Sequence, residues 1–271
     1  MLDELKYQRD VITLESSSGA VALEHAVGRL PDFFSNIRTA FNTYLAEPAV
    51  RLLTPSNAYS MKLFSDNKSY VDLRKMEAYV PPGLSVDYLT YTEVLKDGAK
   101  QMQTIRQDVL TPFSAWLASK LGNPSSLAAL TVNLKIDGVH LHSVEKLEKR
   151  IQSCFNPNVK QESLTTYGAV VRRNADWVLL QKDMEHLNSA FSPDQHREIV
   201  ELVNRCTSQI DTLMRRMEEE PDIYKISPPA VAALANMCYQ IARELEFYGM
   251  LRNRIKELSH AIDTTSQKLT A

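Results

Sequence analysis

Ser192-Pro193-Asp194-Gln195 decides the fold, because it places a hydroxyl at the N-cap, proline at the first helical position and glutamine at the capping-box position of a long helix. Behind it, Ile199, Leu202, Cys206, Ile210, Leu213 and Met217 recur at steps of three or four, which is the spacing of one apolar helix face. Ser227-Pro228-Pro229 opens a second helix in the same way, and Val231, Leu234, Cys238, Ile241, Leu245 and Tyr248 repeat the pattern. A short acidic turn containing Glu218-Glu219-Glu220 joins them. The spacing predicts an antiparallel hairpin facing inward through Cys206, Ile210, Leu213, Cys238, Ile241 and Leu245. An acidic run at a helix C-terminus opposes the helix dipole, so fraying is expected near Glu220.

Upstream, Tyr88, Tyr91, Leu95, Gly98, Met102, Ile105, Val109 and Trp116 fall on one seam, with Ser85 as a candidate cap. Pro112 within that stretch predicts a kink one turn earlier, since its ring clashes with the carbonyl four residues back. Leu121-Gly122-Asn123-Pro124 is a stop signal. A shorter helix carries Leu141, Val144, Leu147, Ile151 and Cys154. Residues 156 to 166 read as a polar loop, and Val170, Trp177, Leu180, Met184, Leu187 and Phe191 define a helix that runs to the Ser192 cap.

The first 83 residues are less regular. Leu23, Ala26, Val27 and Leu30 suggest a short helix ending between Gly28 and Pro31, and Phe33, Phe34, Ile37, Phe41, Tyr44 and Leu45 a second one ending before Pro48. Tyr70–Leu73 and Ala78–Val80 read as short extended pieces, and Pro81-Pro82-Gly83 as a firm break. The expected architecture is all-α: an elongated bundle of long antiparallel helices over residues 84–271, with a smaller helical and irregular region over 1–83.

Composition sets wide bounds. Of the 271 residues 44% are hydrophobic, enough for a real core, and the formal charge of −2 offers no general attraction to nucleic acid or an anionic membrane. Three cysteines with no paired spacing, each on an apolar stripe, argue against a disulfide framework and fit buried thiols in a reducing compartment. Met1-Leu2-Asp3-Glu4 is not followed by the basic-then-apolar pattern of a signal peptide, so none is expected, and no apolar run approaches the roughly 18 residues of a membrane span. A cytoplasmic origin is the expectation.

Chemistry is sparse. Asp137, His140 and His142 form the best metal-like cluster, but the flanking pattern reads as a turn entering a helix, and no second group of ligands follows. Neither a Gly-x-Ser-x-Gly turn nor a glycine-rich phosphate loop occurs. His25, His186, His196 and His260 read as structural or surface residues. Arg172-Arg173 and Arg215-Arg216 read as solvated helix faces. Tyr79, Tyr88 and Tyr91 cluster around the proline break; they form either a contact surface or the packing of the amino-terminal part onto the long helix, and packing is favoured. No cofactor, metal or catalytic residue is expected.

Taken together, Val11-Ile12-Thr13-Leu14-Glu15-Ser16 through Val21-Ala22-Leu23-Glu24, Gly28-Arg29-Leu30-Pro31, Tyr79-Val80-Pro81-Pro82-Gly83-Leu84-Ser85 and Glu244-Leu245-Glu246-Phe247-Tyr248-Gly249 resemble the internal head proteins of large tailed bacteriophages. The resemblance implies a non-enzymatic virion component that touches other phage or host proteins, with direct DNA binding disfavoured by the near-neutral charge. It also implies maturation cleavage after a glutamate. Leu2-Asp3-Glu4 resembles one type of phage protease site and Ala22-Leu23-Glu24 another. With the serine-rich stretch Ser16-Ser17-Ser18-Gly19 expected to be accessible, the candidate positions are Glu4, Glu15 and Glu24. The alternative is a helical adaptor that binds a host or phage partner outside the particle; an enzyme is least favoured.

Overall fold

Helices dominate because the apolar positions repeat at helical spacing and few glycines interrupt them. The computed structural model of the chain describes residues 1–46, 76–124, 135–136, 139–141, 144–156, 164–172 and 174–270. In chain order these form α1 (Leu2–Ser16), α2 (Ala20–Leu45), β1 (Glu77–Tyr79), α3 (Tyr88–Gln103), a π-helical turn (Ile105–Leu110) and α4 (Thr111–Gly122). They continue with β2 (Lys135–Ile136), β3 (Val139–His140), α5 (Glu145–Gln152), β4 (Leu164–Thr166), α6 (Tyr167–Val170), α7 (Asn174–Ala190), α8 (Pro193–Glu219) and α9 (Pro228–Thr270). The fold is all-α, and the described residues add two small antiparallel strand pairs, β1–β4 and β2–β3.

Contacts group the chain into two compact units that cut across the expected boundary at residue 83: Met1–Pro48, Thr104–Ser143 and His196–Tyr248 in the first, and Ala49–Gln103, Val144–Gln195 and Gly249–Ala271 in the second.

In the first unit, the predicted hairpin is present. Cys206 is near enough to Cys238 to act on its thiol electrostatically, and His196 Nδ1 is 3.2 Å from the Tyr248 hydroxyl. Cys206 is ten residues beyond His196 and Cys238 ten before Tyr248, so α8 and α9 run antiparallel in a fixed register. Ile210, Leu213, Ile241 and Leu245 are all buried, as the sequence pattern requires. Over residues 230–248, α9 is buried nearly all round, and Ala230, Ala232, Ala233, Ala235 and Ala242 keep it slender enough for neighbours to approach. The kink expected before Pro112 takes the form of the π-helical turn, which absorbs the missing N–H and the ring clash without ending the helix. Ser114 Oγ donates to Gln209 at 2.9 Å, and Arg216 donates to the Leu121 carbonyl at 3.2 Å, which ties α4 to α8.

The amino-terminal stretch departs from the reading above. Residues 2–16 are helical, and α2 continues through Gly28 and Pro31 as one helix of 26 residues. A mid-helix proline costs about 3 kcal/mol in isolation. Here Leu30, Phe33, Phe34, Ile37 and Phe41 are buried on both sides of Pro31, and each buried side chain of that size contributes roughly 1.5–3 kcal/mol. Tertiary burial therefore outweighs the local break. Gly19, at φ 122°, makes the turn between the two helices. Gln8 accepts from Asn36 at 3.1 Å, and Arg29 donates to Glu15 at 3.0 Å, which fixes an antiparallel pair.

In the second unit, α3 packs on α7 and α5, with ion pairs from Lys96 to Asp183 at 2.6 Å and from Arg150 to Asp97 at 2.7 Å. Asp87 rather than Ser85 caps α3, accepting the Thr90 N–H at 2.9 Å. Ser85 instead donates through its hydroxyl to the Cys154 carbonyl. Within the expected loop 156–166, Leu164–Thr166 pairs with Glu77–Tyr79. The extended piece expected at Ala78–Val80 is thus β1, while that at Tyr70–Leu73 lies outside the described residues.

Candidate functional site

The tyrosine cluster is packing. Tyr88 and Tyr91 are fully buried and Tyr79 half-buried. The Tyr88 hydroxyl donates to the Tyr79 carbonyl and sits 3.3 Å from Thr265 Oγ, which also accepts the Tyr79 N–H at 2.8 Å. Tyr91 meets the Phe155 ring edge-on at 5.4 Å. Burial pushes both phenols above their ordinary range. Of the three residues weighed as a contact surface, two are withdrawn from solvent. The reason is physical: aromatic rings beside a proline break gain more from closing the gap between strand and helix than from facing water.

The three cysteines are free and buried. Burial raises the Cys206 thiol to about 12 and pushes the Cys154 and Cys238 thiols up as well, with the neighbouring Cys206 adding to the shift at Cys238. Thiols held protonated in apolar surroundings are poor nucleophiles. His196 is buried against Tyr248, its ring stacked within 5° of parallel. His140 lies on β3 opposite Lys135 rather than in a turn entering a helix, and Asp137 and His142 lie outside the described residues. Among the described residues no group of three metal-binding side chains converges. Of the basic pairs, Arg172 is bound to Asp87 at 2.7 Å and Arg216 to the Tyr224 hydroxyl at 2.5 Å.

The glutamates proposed for cleavage are helical: Glu4 and Glu15 in α1, Glu24 in α2. Of the stretch Ser16-Ser17-Ser18-Gly19 expected to be accessible, Ser16 is the buried last residue of α1 and residues 17–19 form the turn to α2. A protease needs several extended residues, so cutting after any of the three requires a helical turn to open first.

Two features escaped the sequence reading. Glu244 on α9 is wholly buried, and neither of its oxygens reaches a hydrogen-bond donor with normal geometry. Burial raises its carboxyl to about 7, against the opposing pulls of Gln240 and Arg243. Nothing local betrays it, because Glu-Leu-Glu in a long helix reads as a solvated face. The second is the outer face of α1, where Tyr7 and Leu14 are 66% and 69% exposed. Beside it a cleft of about 80 Å³ is bordered by Tyr7, Gln8, Val11 and Ile12 of α1 and Arg29 and Asp32 of α2. The step of four then three from Tyr7 through Val11 to Leu14 was readable once residues 2–16 are known to be helical.

No protein-family model, curated protein or solved structure matches the chain. No helix among the described residues is long and apolar enough to cross a membrane.

Proposed function

We propose that the chain is a non-enzymatic virion protein of a tailed bacteriophage, internal to the head, that acts through protein–protein contacts. The resemblance to internal head proteins supports the phage assignment. The observation that carries the mode of action is the outer face of α1, where apolar side chains stand in solvent on a helix whose opposite face is fully packed. Among the described residues, Cys206, Cys238, His196, Tyr88 and Tyr91 are buried in packing and do not face solvent. The near-neutral formal charge favours contact with shell or scaffold proteins over DNA condensation.

Mass spectrometry of purified particles tests the assignment. An internal protein is abundant in the virion and survives removal of externally attached proteins. Absence from the particle defeats this function and shifts the chain to the adaptor class.

A further inference from the structure

Helix α1 carries apolar residues on two opposite faces. Leu5 and Ile12 are fully buried. At about 100° per residue, Tyr7 and Leu14 lie on the far side of the helix, and half-buried Val11 sits beside them on the flank that borders the cleft. Single exposed apolar residues are ordinary, but an in-register stripe beside a groove is the surface onto which amphipathic helices dock.

The charges around the stripe select the occupant. Arg9 is bound to Asp10 at 2.5 Å and turned over the Tyr239 ring at 4.4 Å, and Arg29 is bound to Glu15. Asp3 and Glu4 are exposed at the near end of the stripe, and Asp32 borders the cleft. Lys6 lies roughly 100° around the helix from the stripe's centre. The border is therefore acidic where a partner would sit. A second copy fits it badly. A two-fold axis through the middle of the stripe would bring Asp10 against its own symmetry mate, and like charges so placed oppose association.

We infer that the outer face of α1, with the adjoining α1–α2 cleft, docks a basic amphipathic helix: apolar side chains at i, i+3/i+4 and i+7 seated on Tyr7, Val11 and Leu14, flanked by lysine or arginine facing Asp3, Glu4 and Asp32. This rests on the reading that the chain works through protein contacts, and it names the chemistry of one partner.

The probe is a fluorescently labelled synthetic helical peptide with leucines at that spacing and lysines on both flanks, titrated into the full chain and followed by anisotropy. Its control replaces each lysine with glutamate. Saturable binding of the lysine peptide is expected, with the glutamate peptide weaker by about tenfold or more, because it sets carboxylates against Asp3, Glu4 and Asp32. Leu14→Ser should weaken the lysine peptide by about tenfold through lost apolar contact, with an unchanged circular dichroism melt. Asp3→Lys with Glu4→Lys should weaken it as well. Absence of binding, equal binding of the two peptides, or binding indifferent to Leu14→Ser would overturn the inference. So would sedimentation showing a dimer that Leu14→Ser returns to monomer, which assigns the face to a second copy. None of these outcomes alters whether the protein is found in particles.

Discussion

Two antiparallel helix pairings meet in the first unit, α1 with α2 and α8 with the part of α9 up to Tyr248, and they reach the same geometry by different means. In α8/α9 the register is set by a buried seam that includes Cys206, Leu213, Cys238 and Leu245. Each helix also starts with a serine whose oxygen accepts a backbone N–H, Ser192 from Gln195 at 3.3 Å and Ser227 from Ala230 at 3.4 Å. In α1/α2 neither helix has a side-chain cap. Glu15 lies seven residues after Gln8 and Arg29 seven before Asn36, so side-chain pairs near the surface mark the register. Ring stacking of Arg9 on Tyr239 of α9 joins the first pair to the second. One pair is specified by its own sequence; the other is helical because something beneath it is apolar. Local propensity alone is marginal for short helices, and packing of an amphipathic face supplies the rest.

The comparison is broken most directly in the seam of α8/α9. Leu213 and Leu245 are both fully buried. Either leucine replaced by alanine should cost on the order of 2–5 kcal/mol, since the surrounding helices cannot close fully around the lost volume. Urea unfolding followed by circular dichroism reads the change. Losses below ~0.5 kcal/mol at both positions would mean the pair is held together elsewhere.

A second, smaller effect sits on the same helix and depends on pH. Glu244 titrates near 7 in the folded chain because burial disfavours its charge, against 4.5 for the free side chain. The folded state holds the proton more tightly than the unfolded chain does. The favourable contribution is therefore complete below about pH 4.5 and is lost as pH rises through about 7. Glu244→Gln removes that dependence. At about pH 8 the variant should be more stable than the parent by on the order of 1–3 kcal/mol, and the gap should close towards pH 4.5. Parallel urea melts at the two pH values measure it. A gap that does not change with pH would show that Glu244 keeps its charge when folded.

What was legible in the sequence follows the same division. The α8/α9 pair, its facing residues and the disruption upstream of Pro112 could be read because each depends on local signals: a serine-proline opening, a three-four apolar repeat, a ring without an N–H. The helical state of residues 2–16 and the passage of α2 through Pro31 depend on what Leu5, Ile12, Leu30 and Phe33 pack against, which no window of sequence contains. Tyr88 and Tyr91 illustrate the limit for sites. Their clustering was visible, and packing was favoured over contact, but the Thr265 hydroxyl that organises Tyr79 and Tyr88 comes from 177 residues beyond Tyr88. Glu244 was invisible for the converse reason, as an acid in a helix is ordinary until the helix proves buried on every side.

The smallest expected effect is the one that most sharpens the contrast between the two pairs. Leu14 matches Leu213 in chemistry and helical setting, yet it is 69% exposed where Leu213 is buried. Leu14→Ser should therefore change folding stability by no more than about 0.5 kcal/mol, as is usual for surface positions. Serine also has slightly lower helix propensity than leucine, a penalty within that limit. The same urea melts used for Leu213→Ala check it. A loss comparable to that of Leu213→Ala would show that the outer face of α1 is covered within the folded chain. It would then belong to the core, and no partner would be needed to account for an apolar stripe at that position. A negligible change leaves Leu14 as apolar surface that folding does not use.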